Sequence, residues 1–281
     1  MYKNSKWAKE IIDLQKKDGS WGYFHTLSEP NKFPITTEQA LRRLEILGYT
    51  INDDCIQKVV EYMINCLEGK FKTPDRREKT HNWDLFMDLI ISTWIRRFTN
   101  DVEIANNVAK TWAYIISSAF KSGKYSYQDY VKAFNEAFPQ KGWGDRLINF
   151  VNFYQVSLVA DCLDIESEKL VFDYVFNYEN GIYYMMIDRP AYKLPEVFES
   201  KDTTRYLRLI ELLSRYKNNL YKLDFVVNWL NEHKNEDGKW DLGAKAKDNI
   251  SFPLSESWRS REDRIDDCTY IISKLLNKIC L

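Results

Sequence analysis

Hydrophobic residues recur at helical spacing along most of the chain, and they define two kinds of segment. In one kind the apolar positions fall on a single side, as with Val59, Val60 and Met63, which predicts a helix with one buried face. In the other kind apolar residues surround most of the circumference, as from Trp83 to Phe98, which predicts a buried helix. The two kinds alternate along the sequence.

The alternation predicts five successive pairs of helices. One-sided segments lie near residues 7–14, 56–63, 105–116, 170–176 and 223–230, and buried segments begin near Thr37, Trp83, Asp145, Asp202 and Asp263. A further helical segment from Ser126 to Phe138 is interpreted as an insertion in the third pair. We therefore expect an all-α protein in which outer and inner helices close into an α/α toroid.

A glycine two residues before an aromatic residue follows each one-sided helix. The five copies are Gly19-Ser-Trp21, Gly69-Lys-Phe71, Gly123-Lys-Tyr125, Gly181-Ile-Tyr183 and Gly238-Lys-Trp240. At a helix C-terminus glycine adopts the left-handed conformation at little cost, and the aromatic ring can then pack back onto the helices. The copies divide a single predicted domain, 1–281, into repeats near 1–48, 49–98, 99–163, 164–215 and 216–281.

The first copy, Gln15-Lys-Lys-Asp-Gly19-Ser-Trp21, resembles the QxxxGxW motif of squalene cyclases and related terpene cyclases. That superfamily also includes protein prenyltransferase β subunits, and the motif braces their α/α toroid, so the resemblance implies the same fold. The catalytic DxDD motif of the cyclases is incomplete here, because Arg264 stands at the first position of Arg-Ile-Asp266-Asp267. The resemblance supports a fold more than a reaction.

Charge and composition narrow the expected partners. The chain has 40 basic and 41 acidic residues and a formal charge of −1, so no overall field would attract nucleic acid or anionic lipid. No uncharged apolar run approaches the roughly 20 residues of a membrane span, and the N-terminus lacks the apolar core of a signal peptide. We expect a cytoplasmic protein without a cofactor or metal, since none of its three histidines has metal-ligand spacing.

Polar side chains interrupt the predicted buried helices in stripes, where an unpaired charge is costly unless it faces water. On the second of these helices His81, Asp84 and Asp88 follow one another at i, i+3 and i+7 and therefore share a face. Two carboxylates one turn apart raise each other's proton affinity, which would let one act as a general acid with His81 orienting the pair. These three are the candidate catalytic residues.

Further polar and aromatic residues on inner helices would line the same central cavity and bind a ligand. They are Glu38, Arg42, Trp83, Asn149, Asn152, Arg205 and Arg208. The alternative is that these groups only hydrate the cavity mouth or pair with one another. The acidic cluster from Glu262 to Asp266 resembles the [DE]DxxD motif that binds magnesium diphosphate, although acidic residues are also common in the first turn of a helix.

Three functions are consistent with this arrangement. The first is an enzyme, a cyclase or lyase, that binds an apolar or isoprenoid-like small molecule and uses an aspartate as general acid. The second is a toroid that binds a ligand or a protein without catalysis. The third is a glycan-active α/α-barrel hydrolase or lyase with paired carboxylates. An enclosed apolar chamber would favour the first, a filled centre the second and an open polar groove the third.

Overall fold

The computed structural model describes residues 2–25, 33–77, 82–139 and 148–280, and within them the chain is all-helical, as predicted. Eleven α-helices and no β-strand lie in these ranges. The helices are α1 (Lys6–Asp13), α2 (Thr37–Ile46), α3 (Asp54–Leu67), α4 (Trp83–Phe98), α5 (Glu103–Ser118), α6 (Tyr127–Ala137), α7 (Phe153–Val159), α8 (Ile165–Phe176), α9 (Lys201–Leu213), α10 (Asp224–Glu232) and α11 (Arg261–Ile279). In the described ranges, none is both long and apolar enough to cross a bilayer.

The chain divides into two compact units. The first comprises Met1–Ile115 and Val131–Asn149, and the second comprises Ile116–Tyr130 and Phe150–Leu281. Ten of the eleven helices match the predicted segments, including α4, whose predicted and observed bounds coincide. The closed toroid and its division into five repeats stay predictions.

Helix α4 carries buried side chains on nearly every side, which explains why its sequence is apolar around most of the circumference. They are Trp83, Phe86, Met87, Leu89, Ile90, Ile91, Ser92, Thr93, Trp94, Ile95 and Arg96. Helix α2 packs against it through charged groups, since Arg97 Nε lies 2.9 Å from both carboxylate oxygens of Glu45. The start of α2 is fixed by a capping box, in which the side chains of Thr36 and Gln39 each bond the other's backbone N–H.

All five repeat glycines have a positive φ, but only Gly69 lies at a helix C-terminus as predicted, directly after the last residue of α3 and its cap; the other four lie five or six residues beyond the end of their helix. The angles are 91° at Gly19, 74° at Gly69, 79° at Gly123, 67° at Gly181 and 73° at Gly238. In the first turn Gln15 Nε2 donates to the carbonyl oxygens of Gly19 and Cys55, at 2.9 and 2.8 Å, and so ties the turn to the start of α3. Lys234 replaces this glutamine in the fifth turn, where its Nζ lies 5.0 Å from the centre of the Trp240 ring.

The first and fifth turns repeat one tryptophan contact, each within its own unit. Trp21 Nε1 donates to the Ile11 carbonyl at 2.6 Å, and Trp240 Nε1 donates to the Leu230 carbonyl at 2.7 Å, in both cases ten residues back along the chain. Both indoles are buried. Their hydrogen bonds satisfy carbonyls near the end of α1 and of α10, so these two aromatic residues do fold back onto their helices.

The same prediction is wrong for the second and fourth turns. Phe71 is 44% exposed and Tyr183 is 56% exposed. A phenyl ring has no N–H to donate to a helix carbonyl, and Phe71 only packs against Tyr62, with ring centroids 6.1 Å apart. The backbone of Tyr183 is instead committed to hydrogen bonds with Val151 and Phe153, which hold this residue outside the helical core.

The third buried helix begins later than the sequence suggests. Asp145 lies outside the described residues, residues 148–152 are not helical, and α7 begins only at Phe153. The reason is local, because the Asn152 side chain accepts hydrogen bonds from the backbone N–H groups of Tyr154 and Gln155 and so caps the helix at its first turn. The expected stripe through Asn149 and Asn152 therefore does not form on a helix.

A pair of glycine substitutions tests how the turns carry stability. A Cβ at Gly19 would lie 2.3 Å from the Lys58 carbonyl oxygen, whereas a Cβ at Gly238 would meet nothing within 4 Å. We expect Gly238→Ala to lower the free energy of unfolding by about 1 kcal/mol, from the left-handed backbone alone, and Gly19→Ala to lower it by at least about 3 kcal/mol. Urea unfolding followed by tryptophan fluorescence measures both, and equal losses would contradict the proposed close packing at Gly19.

Candidate functional site

A buried histidine–carboxylate pair lies in the first unit. His25 Nδ1 and Glu38 Oε2 are 2.7 Å apart, and both side chains are about nine-tenths buried, with 11% and 8% exposed. An ionised carboxylate can only accept a hydrogen bond, so Nδ1 carries a proton, and Nε2 is the ring nitrogen whose protonation changes when the imidazole gains or loses a proton. This is the arrangement by which a carboxylate fixes the tautomer and orientation of a catalytic imidazole.

Backbone contacts explain why these two residues meet. The carbonyls of Tyr23 and Phe24 accept the N–H groups of Thr37 and Glu38, at 2.8 and 3.1 Å, so the segment that leads to His25 lies along the first turn of α2. The carboxylate of Asp75, on a different loop, accepts the N–H groups of Phe24 and His25 at 2.6 and 2.7 Å. Two loops and a helix N-terminus therefore hold the imidazole in place.

Glu38 is held from its other side as well. Its Oε1 accepts hydrogen bonds from Arg42 at 3.0 Å and from Trp94 Nε1 at 3.3 Å. The guanidinium groups of Arg42 and Arg97 each lie 5.8 Å from the Trp94 ring, at cation–π distance. A buried carboxylate with a cationic partner and three hydrogen bonds is fully compensated, which makes it a rigid anchor for the histidine.

Aromatic rings form the surroundings of the imidazole. The Phe86 ring meets His25 edge-on, with centroids 5.4 Å apart and planes at 74°, and Trp83 lies 6.0 Å beyond Phe86. Both rings belong to α4 and are buried. The predicted ligand-binding residues Glu38, Arg42 and Trp83 are thus brought together, around a histidine that the prediction did not include.

The predicted catalytic stripe lies on a different face of α4. Asp88 is two positions from Phe86, which places it about 200° further around the helix. Asp84 is exposed and forms a two-point ion pair with Arg77, at 3.2 and 2.7 Å. The hydroxyl of Ser92, one turn beyond Asp88, is buried and has no hydrogen-bond partner within the described residues. His81 lies outside those residues.

Asp88 itself is unusual among the carboxyl groups. Burial raises its pKa to about 6, and the negative charge of Asp84 contributes in the same direction. The residue is nevertheless open to solvent, so its carboxyl lies at a surface where protein atoms crowd one side. The predicted stripe is therefore separate from the residues around Glu38, because Asp88 and Phe86 lie on different faces of α4.

The remaining predicted ligand-binding residues have other roles or lie elsewhere. Asn149 is exposed outside any helix, and Asn152 caps α7. Arg208 pairs with Asp248 at 3.5 Å, and Arg205, on the same helix, is exposed. Helical periodicity predicts which residues share a face of a helix, but it does not predict the loops and caps that pair with them, so the predicted stripes do not describe the roles of these four residues.

The acidic cluster of α11 divides into a surface part and a buried structural part. Glu262, Asp263 and Asp266 are exposed, and Asp266 pairs with Lys239 at 2.9 Å. Asp267 is fully buried and accepts hydrogen bonds from Leu254 N, Ser255 N and Oγ, and Trp258 Nε1. Four donors account for this carboxylate, so it fixes the loop before α11.

Comparison with family models, with curated proteins and with solved structures gives no match to this chain. Sequence reasoning missed His25 because its partner Glu38 is thirteen positions away and the histidine is not on a helix, so no periodicity links them. The one available signal was the capping-box pattern Thr36–Gln39, which marks the helix start beside which a loop histidine can lie.

The raised pKa of Asp88 predicts a pH-dependent stability change. A carboxyl whose pKa rises from 3.8 to about 6 on folding destabilises the ionised folded protein, so this cost is absent below pH 4 and complete above pH 6. The full shift would correspond to about 3 kcal/mol, and exposure of the carboxyl reduces the expected effect to about 1 kcal/mol. Asp88→Asn should therefore stabilise the protein at pH 7.5, and this gain should disappear as the pH falls towards 4.

Chemical unfolding of Asp88→Asn and of the original protein at several pH values measures this difference. Asp54→Asn is the control, because the Asp54 side chain is 92% exposed on the first turn of α3 and should give no such pH dependence. A gain that stays constant between pH 4.5 and 7.5 would show that the titration of Asp88 is not its cause.

Proposed function

We propose that this protein is an enzyme that binds an apolar, isoprenoid-like small molecule and transfers a proton through the His25–Glu38 pair. The observation that carries the proposal is the 2.7 Å contact between Nδ1 and a buried, fully partnered carboxylate. Reactions of the cyclase or lyase type require a base, because they end when that base removes a proton from the substrate skeleton.

In this reaction neutral His25 accepts the proton at Nε2, while the proton on Nδ1 stays directed at Glu38. The imidazolium that forms lies next to the carboxylate, which stabilises the positive charge as it develops. Arg42 and Trp94 keep Glu38 from rotating during this step. Glu38 is thus a positioning residue, and His25 is the residue that touches the substrate.

The chemistry around the pair supports an apolar substrate. The Phe86 ring lies against the imidazole and Trp83 packs on Phe86, and aromatic faces stabilise cationic intermediates. The resemblance of the first turn to the QxxxGxW motif is in keeping with this substrate class. A histidine that is oriented by a buried carboxylate and lies against an aromatic ring favours an enzyme over a toroid that only binds.

Asp88 is the second candidate for proton transfer, as a general acid. A carboxyl with a pKa of about 6 retains its proton in part near neutral pH, which an ordinary aspartate does not. Since it lies on a different face of α4 from Phe86, it would serve a different ligand position from His25. Separate substitutions therefore distinguish the two candidates.

Incubation with squalene, squalene epoxide and farnesol, followed by gas chromatography and mass spectrometry, tests the proposal. We expect conversion of at least one of these isoprenoids, and His25→Gln should lower the rate by at least about 100-fold because it removes the base. Glu38→Gln should lower it by a smaller factor, since the imidazole remains but loses its orientation. Asp88→Asn should leave the rate within about twofold if His25 carries the chemistry.

His233→Gln is the matched control. His233 Nδ1 bonds the carbonyl of Trp229, within its own helical turn, and its ring stacks on Phe198. This substitution should leave the rate unchanged, with thermal unfolding checking that each variant is folded. Full activity in His25→Gln would exclude the pair as the catalytic group, and no conversion of any isoprenoid would overturn the proposed substrate class.

A further inference from the structure

A pocket of about 710 Å³ lies in the second unit, at the N-terminus of α9. Its lining comes from two stretches of chain, the residues that lead into α9 and the 3-10 helix Ala244–Ala246 with its flanking lysine. The lining residues are Val197, Glu199, Ser200, Lys201, Ala244, Lys245 and Lys247. The pocket is wide open to solvent, so a ligand would bind in it with one side exposed.

Hydrogen bonds hold both walls of the pocket in place. Thr204 Oγ1 donates to the Ala246 carbonyl at 2.9 Å, which fixes the 3-10 helix against α9. Beyond it, the Asp248 carboxylate accepts the N–H groups of Ile250, Ser251 and Phe252, at 2.7 to 3.0 Å. These bonds fix the backbone of the two stretches that line the pocket and of the loop that follows them.

Charge in the pocket is unbalanced. Three of its lining residues are lysines, which form no ion pair within the described part of the chain. Three acidic residues close in sequence to the pocket pair with arginines, namely Asp202 with Arg189, Asp241 with Arg264 and Asp248 with Arg208. Glu199 is the one carboxylate in the lining, so the local formal charge is about +2, and the positive end of the α9 dipole adds to it.

We propose that this pocket binds a small molecule carrying two or more phosphoryl groups. Three exposed lysines line the same pocket. Lysine ammonium groups bind phosphate oxygens as point charges, and three of them match a ligand with several such oxygens. The residues that line the pocket include no aromatic ring, so a nucleobase would gain no stacking there. The pocket therefore recognises the phosphoryl chain itself. The proposal is independent of the His25–Glu38 pair.

Glu199 lowers the affinity of the pocket for an anionic ligand. Gly243 has a φ of 73°, and a Cβ there would lie 2.8 Å from the Glu199 carboxylate. The bare glycine therefore lets this carboxylate lie close to the backbone beside the lysines. Since it repels an anionic ligand, its removal should strengthen binding, which is the opposite of what a loss of structure would cause.

Isothermal titration of the full chain with sodium tripolyphosphate tests the proposal. We expect saturable binding at one site, which the double substitution Lys245→Ala with Lys247→Ala weakens about tenfold and Glu199→Gln strengthens about threefold. The control Lys169→Ala with Lys217→Ala removes two exposed lysines elsewhere in the same unit and should change affinity by less than twofold. Raising the salt concentration should weaken binding in the original protein.

Titration with ATP completes the test. Its Kd should lie within about threefold of that of tripolyphosphate, since the pocket binds only the phosphoryl groups of the ligand. Absence of saturable tripolyphosphate binding, or an equal loss in the control double variant, would overturn the proposed site. ATP binding more than tenfold tighter than tripolyphosphate would overturn the ligand class.

Discussion

The structure depends on a backbone constraint that recurs five times. In each of the five repeats a glycine with positive φ lies two to six residues after the end of an amphipathic helix, in a conformation that glycine adopts at little cost. In the first and last copies a tryptophan then bonds a carbonyl of the helix it has just left. These turns set where the next helix starts, and in the first unit they lead to the segment that places His25 against α2.

Much of the fold follows from hydrophobic periodicity. Helix α4 could be predicted to its end residues because its burial leaves an apolar sequence on all sides, and the glycine turns could be predicted because few other residues tolerate their backbone angles. The start of α7 could not, since Asn152 ends an extended segment whose pairing with Tyr183 is not visible in the sequence. Hydrophobic periodicity predicts which residues are buried, but it does not predict which side chain caps a helix.

The candidate site shows the same limit more clearly. Glu38 and Arg42 were predictable as a polar pair one turn apart, and they do contact each other. Their position relative to Asp88 was not predictable, because a stripe of polar residues on one helix does not determine which neighbouring element packs against it. His25 is supplied by a loop, where the side chain is placed by backbone hydrogen bonds from distant residues rather than by any repeat.

Asp75 illustrates what such placement implies for the history of the sequence. Its carboxylate receives the backbone N–H groups of Phe24 and His25 from fifty residues away, although it makes no contact with the imidazole through these bonds. A change at Asp75 would release the histidine as surely as a change at Glu38. In descendants of a common ancestor, positions 25, 38 and 75 should consequently be retained or lost as one evolutionary unit.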